Sequence, residues 1–74
     1  LITIYGKENC AGCTTAKNIL EAKGVEFAYK QLDVDYGVAE LMDLFTNHNV
    51  NPRAGLPLIV ALDQVLTLDD LKEL

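Results

Sequence analysis

Apolar residues change their spacing several times along this chain, and each change marks an element. Ile2, Ile4 and Tyr5 make a β-branched and aromatic run within Leu1–Tyr5 that Gly6 closes, which predicts a central first strand. From Thr14 to Lys23 the apolar positions Ala16, Ile19 and Leu20, with the Lys23 stem, follow helical spacing, and Gly24 supplies a left-handed stop. Val25, Phe27 and Tyr29 alternate, then Leu32 and Val34 alternate in the opposite phase, so a second strand is predicted with a bulge near Lys30-Gln31. Asp33, Asp35 and Gly37 end it. Val38, Leu41, Met42 and Phe45 recur at i, i+3, i+4 and i+7, predicting a helix to about Asn47 with Met42 and Phe45 in the core.

Asn47 to Gly55 is rich in turn formers and reads as an exposed, adaptable loop. Leu58 to Leu62 is short and wholly apolar, which suits a strand buried on both faces. Asp63-Gln64 turns the chain into a hairpin partner, Val65-Leu66-Thr67. Asp69 and Asp70 open a last helix with Leu71 and Leu74 on one face, and it reads as cut short. The order β-α-β-α-β-β-α, without repeats, predicts a small α/β sandwich built on a mixed four-stranded sheet.

Length and composition narrow the classes. Seventy-four residues suit a single domain, 1–74, near the lower limit for unaided folding. The longest apolar stretch, Leu58 to Leu62, is far below the roughly 20 residues of a membrane span, and no basic-then-apolar signal opens the chain. A cytoplasmic protein without membrane contact is expected. The chain opens on Leu1 rather than Met, which predicts that N-terminal residues are missing. A net charge of −5, with six basic residues in no run, argues against nucleic acid as a partner.

The chemistry lies in Cys10-Ala11-Gly12-Cys13, which holds the only two cysteines. Closing so short a loop makes a poor structural staple. Placed between a strand and a helix, the pair puts one sulfur near unsatisfied backbone N–H groups, where the helix dipole favours an anion. The thiolate attacks disulfides, so the placement reads as redox chemistry. Cys10, nearest the loop tip, is the expected nucleophile, with a pKa below the free value of about 8.5. Cys13, one turn on and more buried, is the expected resolving thiol. A structural zinc site needs four ligands, and two cysteines with the distant His48 supply three at best, so no metal is expected. His48 reads as an exposed helix-end residue, and Glu8, Glu40 and Asp43 as a solvated face.

Tyr5 followed by the CxxC, the helix running from Lys17 through Gly24 to Phe27, and Leu56-Pro57 before the buried strand together resemble glutaredoxins over nearly the whole chain. Asp43 to Pro57 is most similar to the small phage-type and ribonucleotide-reductase hydrogen-donor glutaredoxins. Thioredoxins fit less well, because the chain has no Trp. Cys-Ala-Gly-Cys replaces the common CPYC, and Leu66-Thr67 stands where paired glycines are usual; both departures touch glutathione recognition.

The resemblance implies a thioredoxin-like fold, with helices on both faces of the sheet, and a dithiol–disulfide oxidoreductase. It implies a cis Pro57 opposite the CxxC, with the Leu56 backbone as a strand-like ladder for the incoming cysteinyl group. Lys7 would stabilise the thiolate or meet a substrate carboxylate, unless it is merely a solvated charge. Arg53, with Asn51, would bind a glutathione carboxylate or an acidic partner tail, unless it is an ordinary loop residue. Asp69 and Asp70 match the acidic pair that would meet the glutathione α-amino group. Tyr5 would shelter the active-site sulfur or pack over the sheet edge, and packing is the simpler role.

The implied partners are a disulfide-bearing protein, with ribonucleotide reductase favoured, and either glutathione as co-substrate or a thioredoxin reductase as reductant. No bound cofactor is expected, and the protein should be a monomer. Two other readings stay open: a thioredoxin-reductase-dependent hydrogen donor without glutathione use, and an iron–sulfur carrier in which two chains share a cluster through Cys10 and two glutathiones. Colour, absorbance and metal content separate the carrier from simple redox cycling.

Overall fold

A computed structural model describes the backbone of residues 1–74 and every side chain but that of residue 54. Strand β1 (Ile2–Gly6) is central, as its β-branched run predicts, in a sheet of order β2-β1-β3-β4. Helix α1 (Ala11–Ala22) carries the chain to β2 (Phe27–Gln31), which runs parallel to β1. Helix α2 (Val38–Asn47) and a 3₁₀ turn (Pro52–Ala54) lead to β3 (Leu58–Ala61), antiparallel to β1 on its other side. Edge strand β4 (Gln64–Leu66) and helix α3 (Leu68–Lys72) complete the expected β-α-β-α-β-β-α order. Among the described residues, no helix is long and apolar enough to cross a membrane.

Two apolar layers sandwich the sheet. Ile2, Ile4 and Ile59 pack on one face with Ala16 and Leu20 of α1 and Leu71 of α3. Leu58 packs on the other with Leu41 and Phe45 of α2 and with Tyr36. Successive strand side chains point to opposite faces, so Leu58 and Ile59 enter different layers. That is why β3 is apolar throughout.

Several expectations are corrected. The phase change near Lys30-Gln31 marks the end of β2 rather than a bulge, since pairing with β1 is unbroken from Ile2↔Phe27 to Gly6↔Gln31. The chain then turns at Asp33 (φ 66°), and the Asp35 carboxylate accepts the Gln31 N–H at 2.9 Å. Val34 is left exposed. Met42 is 42% exposed rather than in the core. It lies about 100° round the helix from Leu41, at the margin of the stripe that Leu41, Leu44 and Phe45 bury. The hairpin turn falls on Leu62-Asp63, one residue earlier than predicted; Leu62 takes φ 56° there and faces solvent. Leu74 is exposed beyond the end of α3, while Leu71 is fully buried.

Tyr36, which the hydrophobic pattern does not single out, is buried, and its hydroxyl donates to the Gly6 carbonyl at 2.8 Å. Its ring meets Tyr5 edge-on, with centroids 5.3 Å apart, so Tyr5 packs on this layer. Burial, with smaller contributions from Tyr29, Tyr5 and Asp33, pushes the Tyr36 phenol from 10.0 up to about 12. The fold thus favours the neutral phenol. Its stabilisation stands in full below pH 10.0 and is lost as pH rises through about 12. In urea titrations, Tyr36→Phe should cost about 1 kcal/mol at neutral pH through the lost hydrogen bond, and should flatten the alkaline loss of stability. Parallel alkaline curves for the two proteins would show that another group titrates.

Candidate active site

The end of β1 delivers the cysteine pair to the start of α1. A Cβ on Gly6 would stand 2.9 Å from two Tyr29 ring carbons, so only glycine lets that ring lie across the strand end. The chain leaves the sheet through Lys7–Asn9, with Asn9 at φ 56°, a left-handed conformation that Asn tolerates. Cys10 is then the N-cap of α1, at φ −113° and ψ 107°, and its Sγ accepts the Cys13 N–H at 3.2 Å. The helix therefore starts at Ala11, three residues before the expected start at Thr14. A sulfur does the capping that a Ser, Thr, Asp or Asn oxygen usually does.

Cys10 and Cys13 are joined as a disulfide, with Cα atoms 5.2 Å apart. Their exposure differs: Cys10 is half-buried, whereas Cys13 is 1% exposed and lies among the buried residues of α1. The Leu56–Pro57 bond is cis, as the resemblance implies, and the Leu56 carbonyl oxygen lies 3.9 Å from Cys10 Sγ. A Cβ on Gly12 would come within 3.1 Å of Pro57 Cδ. A side chain at Gly12 would need the proline ring, which lies against the first turn of α1, to give by a few tenths of an ångström.

On the β2 flank of β1, Cys10 borders an open groove of about 560 Å³ whose walls include Lys7, Glu8, Lys17, Tyr29 and Gln31. Leu56 and Pro57 precede β3, on the opposite flank. Lys17 Nζ sits 4.3 Å above the centroid of the Tyr29 ring. Among the expected site residues, Lys7, Leu56 and Pro57 thus gather round the cysteine pair.

Arg53 and the acidic pair are placed differently. Arg53 is exposed in the 3₁₀ turn, where its backbone N–H donates to Asn51 Oδ1 at 2.9 Å, so the Asn51 side chain is occupied locally. Asp70 and Thr67 form a reciprocal capping box: Asp70 Oδ2 accepts the Thr67 N–H at 2.9 Å, and Thr67 Oγ1 accepts the Asp70 N–H at 3.1 Å. Asp69 is exposed, 3.9 Å from Lys72. Among the described residues, no hydrogen bond or ion pair ties Arg53, Asp69 or Asp70 to Cys10. His48 caps the C-terminus of α2, as a helix-end residue should, although it is half-buried rather than exposed. No three His, Cys, Asp or Glu side chains among the described residues gather to hold a metal ion.

Lys17, Tyr29 and Gln31 escape a sequence reading because they meet only in space. Two weak signals point to them: Ala11, Thr14 and Lys17 recur every three residues along α1, and Tyr29 and Gln31 share a face of β2.

A family model described as Glutaredoxin matches residues 2–63, from β1 into the turn after β3. That span holds the cysteine pair and Leu56-Pro57 but stops short of Asp69 and Asp70. No curated protein matches the chain.

Proposed function

The chain belongs to the glutaredoxin family, and on that premise we propose that it is a dithiol–disulfide oxidoreductase acting through Cys10 and Cys13. In the reduced protein the Cys10 sulfur keeps the Cys13 N–H as a donor and sits at the positive end of the α1 dipole, which favours thiolate over thiol. The thiolate attacks one sulfur of a substrate disulfide in line, forming a Cys10–substrate disulfide and expelling the other substrate sulfur as a thiolate. Cys13 then gives up its proton, attacks Cys10 Sγ and releases the second substrate thiol. Two electrons pass to the substrate, and the Cys10–Cys13 disulfide remains. The Leu56 backbone beside Cys10 is suited to hold the incoming segment in extended form.

The observation that carries this reading is the Cys13 N–H donated to a half-exposed Cys10 sulfur while Cys13 itself is buried. It supports unequal roles for the two thiols. The likeness of Asp43 to Pro57 to phage-type hydrogen donors supports ribonucleotide reductase as the protein substrate. A cycle that begins from the dithiol suits a reducing compartment such as the cytoplasm.

For the reductant, glutathione is the family's own choice. One observation favours a thioredoxin reductase instead: the capping box already engages Asp70, on the residue pair expected to meet the glutathione α-amino group. The test is turnover of one disulfide substrate, followed by NADPH consumption, with glutathione plus glutathione reductase or with thioredoxin reductase. Asp70 uses only Oδ2 in that box, so its other oxygen stays available and the glutathione arm is expected to run faster. The reverse order makes the protein a reductase-dependent donor, and no turnover in either arm overturns the oxidoreductase reading.

A further inference from the structure

The groove on the β2 flank of Cys10 carries recognition chemistry that disulfide exchange does not require. Resting on the oxidoreductase reading, we propose that it is a docking subsite for an acidic segment of an extended protein substrate, whose carboxylates meet Lys7 and Lys17 while the neighbouring cysteine reaches Cys10.

Charge is the first argument. The chain carries −5 overall, yet this groove holds two cations against the single carboxylate of Glu8. Among the described residues the only ion pair closer than 4.0 Å joins Lys72 and Asp69, so no carboxylate of this chain neutralises either groove lysine at that range. The local sign is opposite to that of the rest of the molecule, so an acidic partner that the surface repels elsewhere is steered to the reactive sulfur.

Lys17 is also held in place. Its ammonium rests over the Tyr29 ring at 4.3 Å, and that ring packs on the α1 face of the sheet across Gly6. A long flexible side chain is thereby partly ordered before anything binds, which lowers the entropic cost of an ion pair. Shape suits a peptide. The groove is open, about 560 Å³, and bordered by Tyr29 and Gln31 of β2, an edge strand beside which an extended segment can run. With Leu56 and Pro57 on the opposite flank, a substrate chain crossing Cys10 would meet a neutral backbone on one side and two cations on the other.

The test uses synthetic peptides with one cysteine in a mixed disulfide with a neutral thiol, flanked by Glu or, in the control, by Gln. The readout is the ratio of kcat/KM for the two peptides, in which any change in Cys10 reactivity cancels. The reduced wild-type protein should prefer the acidic peptide by about fivefold at low salt, and the preference should fade at high salt. Lys17→Gln should bring the ratio close to one. A ratio near one in the wild-type protein, or a fivefold ratio that survives Lys17→Gln, overturns the proposal. A third arm carries glutathione on the Gln peptide: if Lys17→Gln slows only that substrate, the groove holds a glutathione carboxylate and the protein-segment proposal fails. Absence of turnover with the Gln peptide would instead remove the oxidoreductase reading beneath it.

Discussion

Cys10→Ser is expected to reduce disulfide exchange to the uncatalysed rate, a loss on the order of a thousandfold or more. A serine hydroxyl is not ionised near neutral pH and cannot form the mixed disulfide. The remaining thiol cannot substitute, because Cys13 is 1% exposed and held within α1. Cys13→Ser should behave in the opposite way. The backbone N–H at position 13, which donates to Cys10 Sγ at 3.2 Å, survives the substitution, so Cys10 still attacks. Without a resolving thiol the reaction stops after one exchange, and mass spectrometry should find one substrate molecule per chain, released by added reductant. Full turnover by Cys10→Ser, or failure of Cys13→Ser to trap an adduct, would reverse or remove the two roles.

The parts of this site legible in the sequence are those whose signal is local. The spacing of Cys10 and Cys13 between an apolar strand and a periodic helix points to the junction of β1 and α1, although Cys13 lies within the helix rather than before it, and Leu56-Pro57 is reached through family likeness. The start of α1 was not legible, because Ala11 and Gly12 carry no apolar periodicity and the N-cap acceptor is a sulfur. The end of β2 misleads for a related reason: Leu32 follows the strand's own alternation into the α2 layer, opposite Phe27 and Tyr29, while Val34 lies beyond the turn at Asp33, and the sequence pattern alone cannot tell this from a bulge. Tyr36 and the Lys17–Tyr29 pair were invisible because each contact joins elements distant along the chain. The sequence shows which residues can take part in such contacts, and only the sheet order decides which of them meet.

The same sheet order makes Leu20 a position where a small change should be costly to the fold. Leu20 is fully buried with Ile4, Ile59 and Leu71, where α1 and α3 close over the sheet. Leu20→Ala removes apolar contact and leaves a cavity that a strand core and a five-residue helix cannot easily fill, at a cost of about 2–5 kcal/mol. A domain of this length has roughly 4–11 kcal/mol in all, so the variant should lose between a fifth of its stability and the whole of it. Met42→Ala is the control. Although Met42 also falls on an apolar helical repeat, it is 42% exposed, and its truncation should cost within about 0.5 kcal/mol. Urea unfolding of both variants with the Cys10–Cys13 disulfide kept intact holds the redox state fixed, so the midpoints can be compared directly. Equal midpoints would mean that α1 does not close this core as described. Placement of the Cys10 sulfur at the helix start, and with it the proposed chemistry, would then need another support.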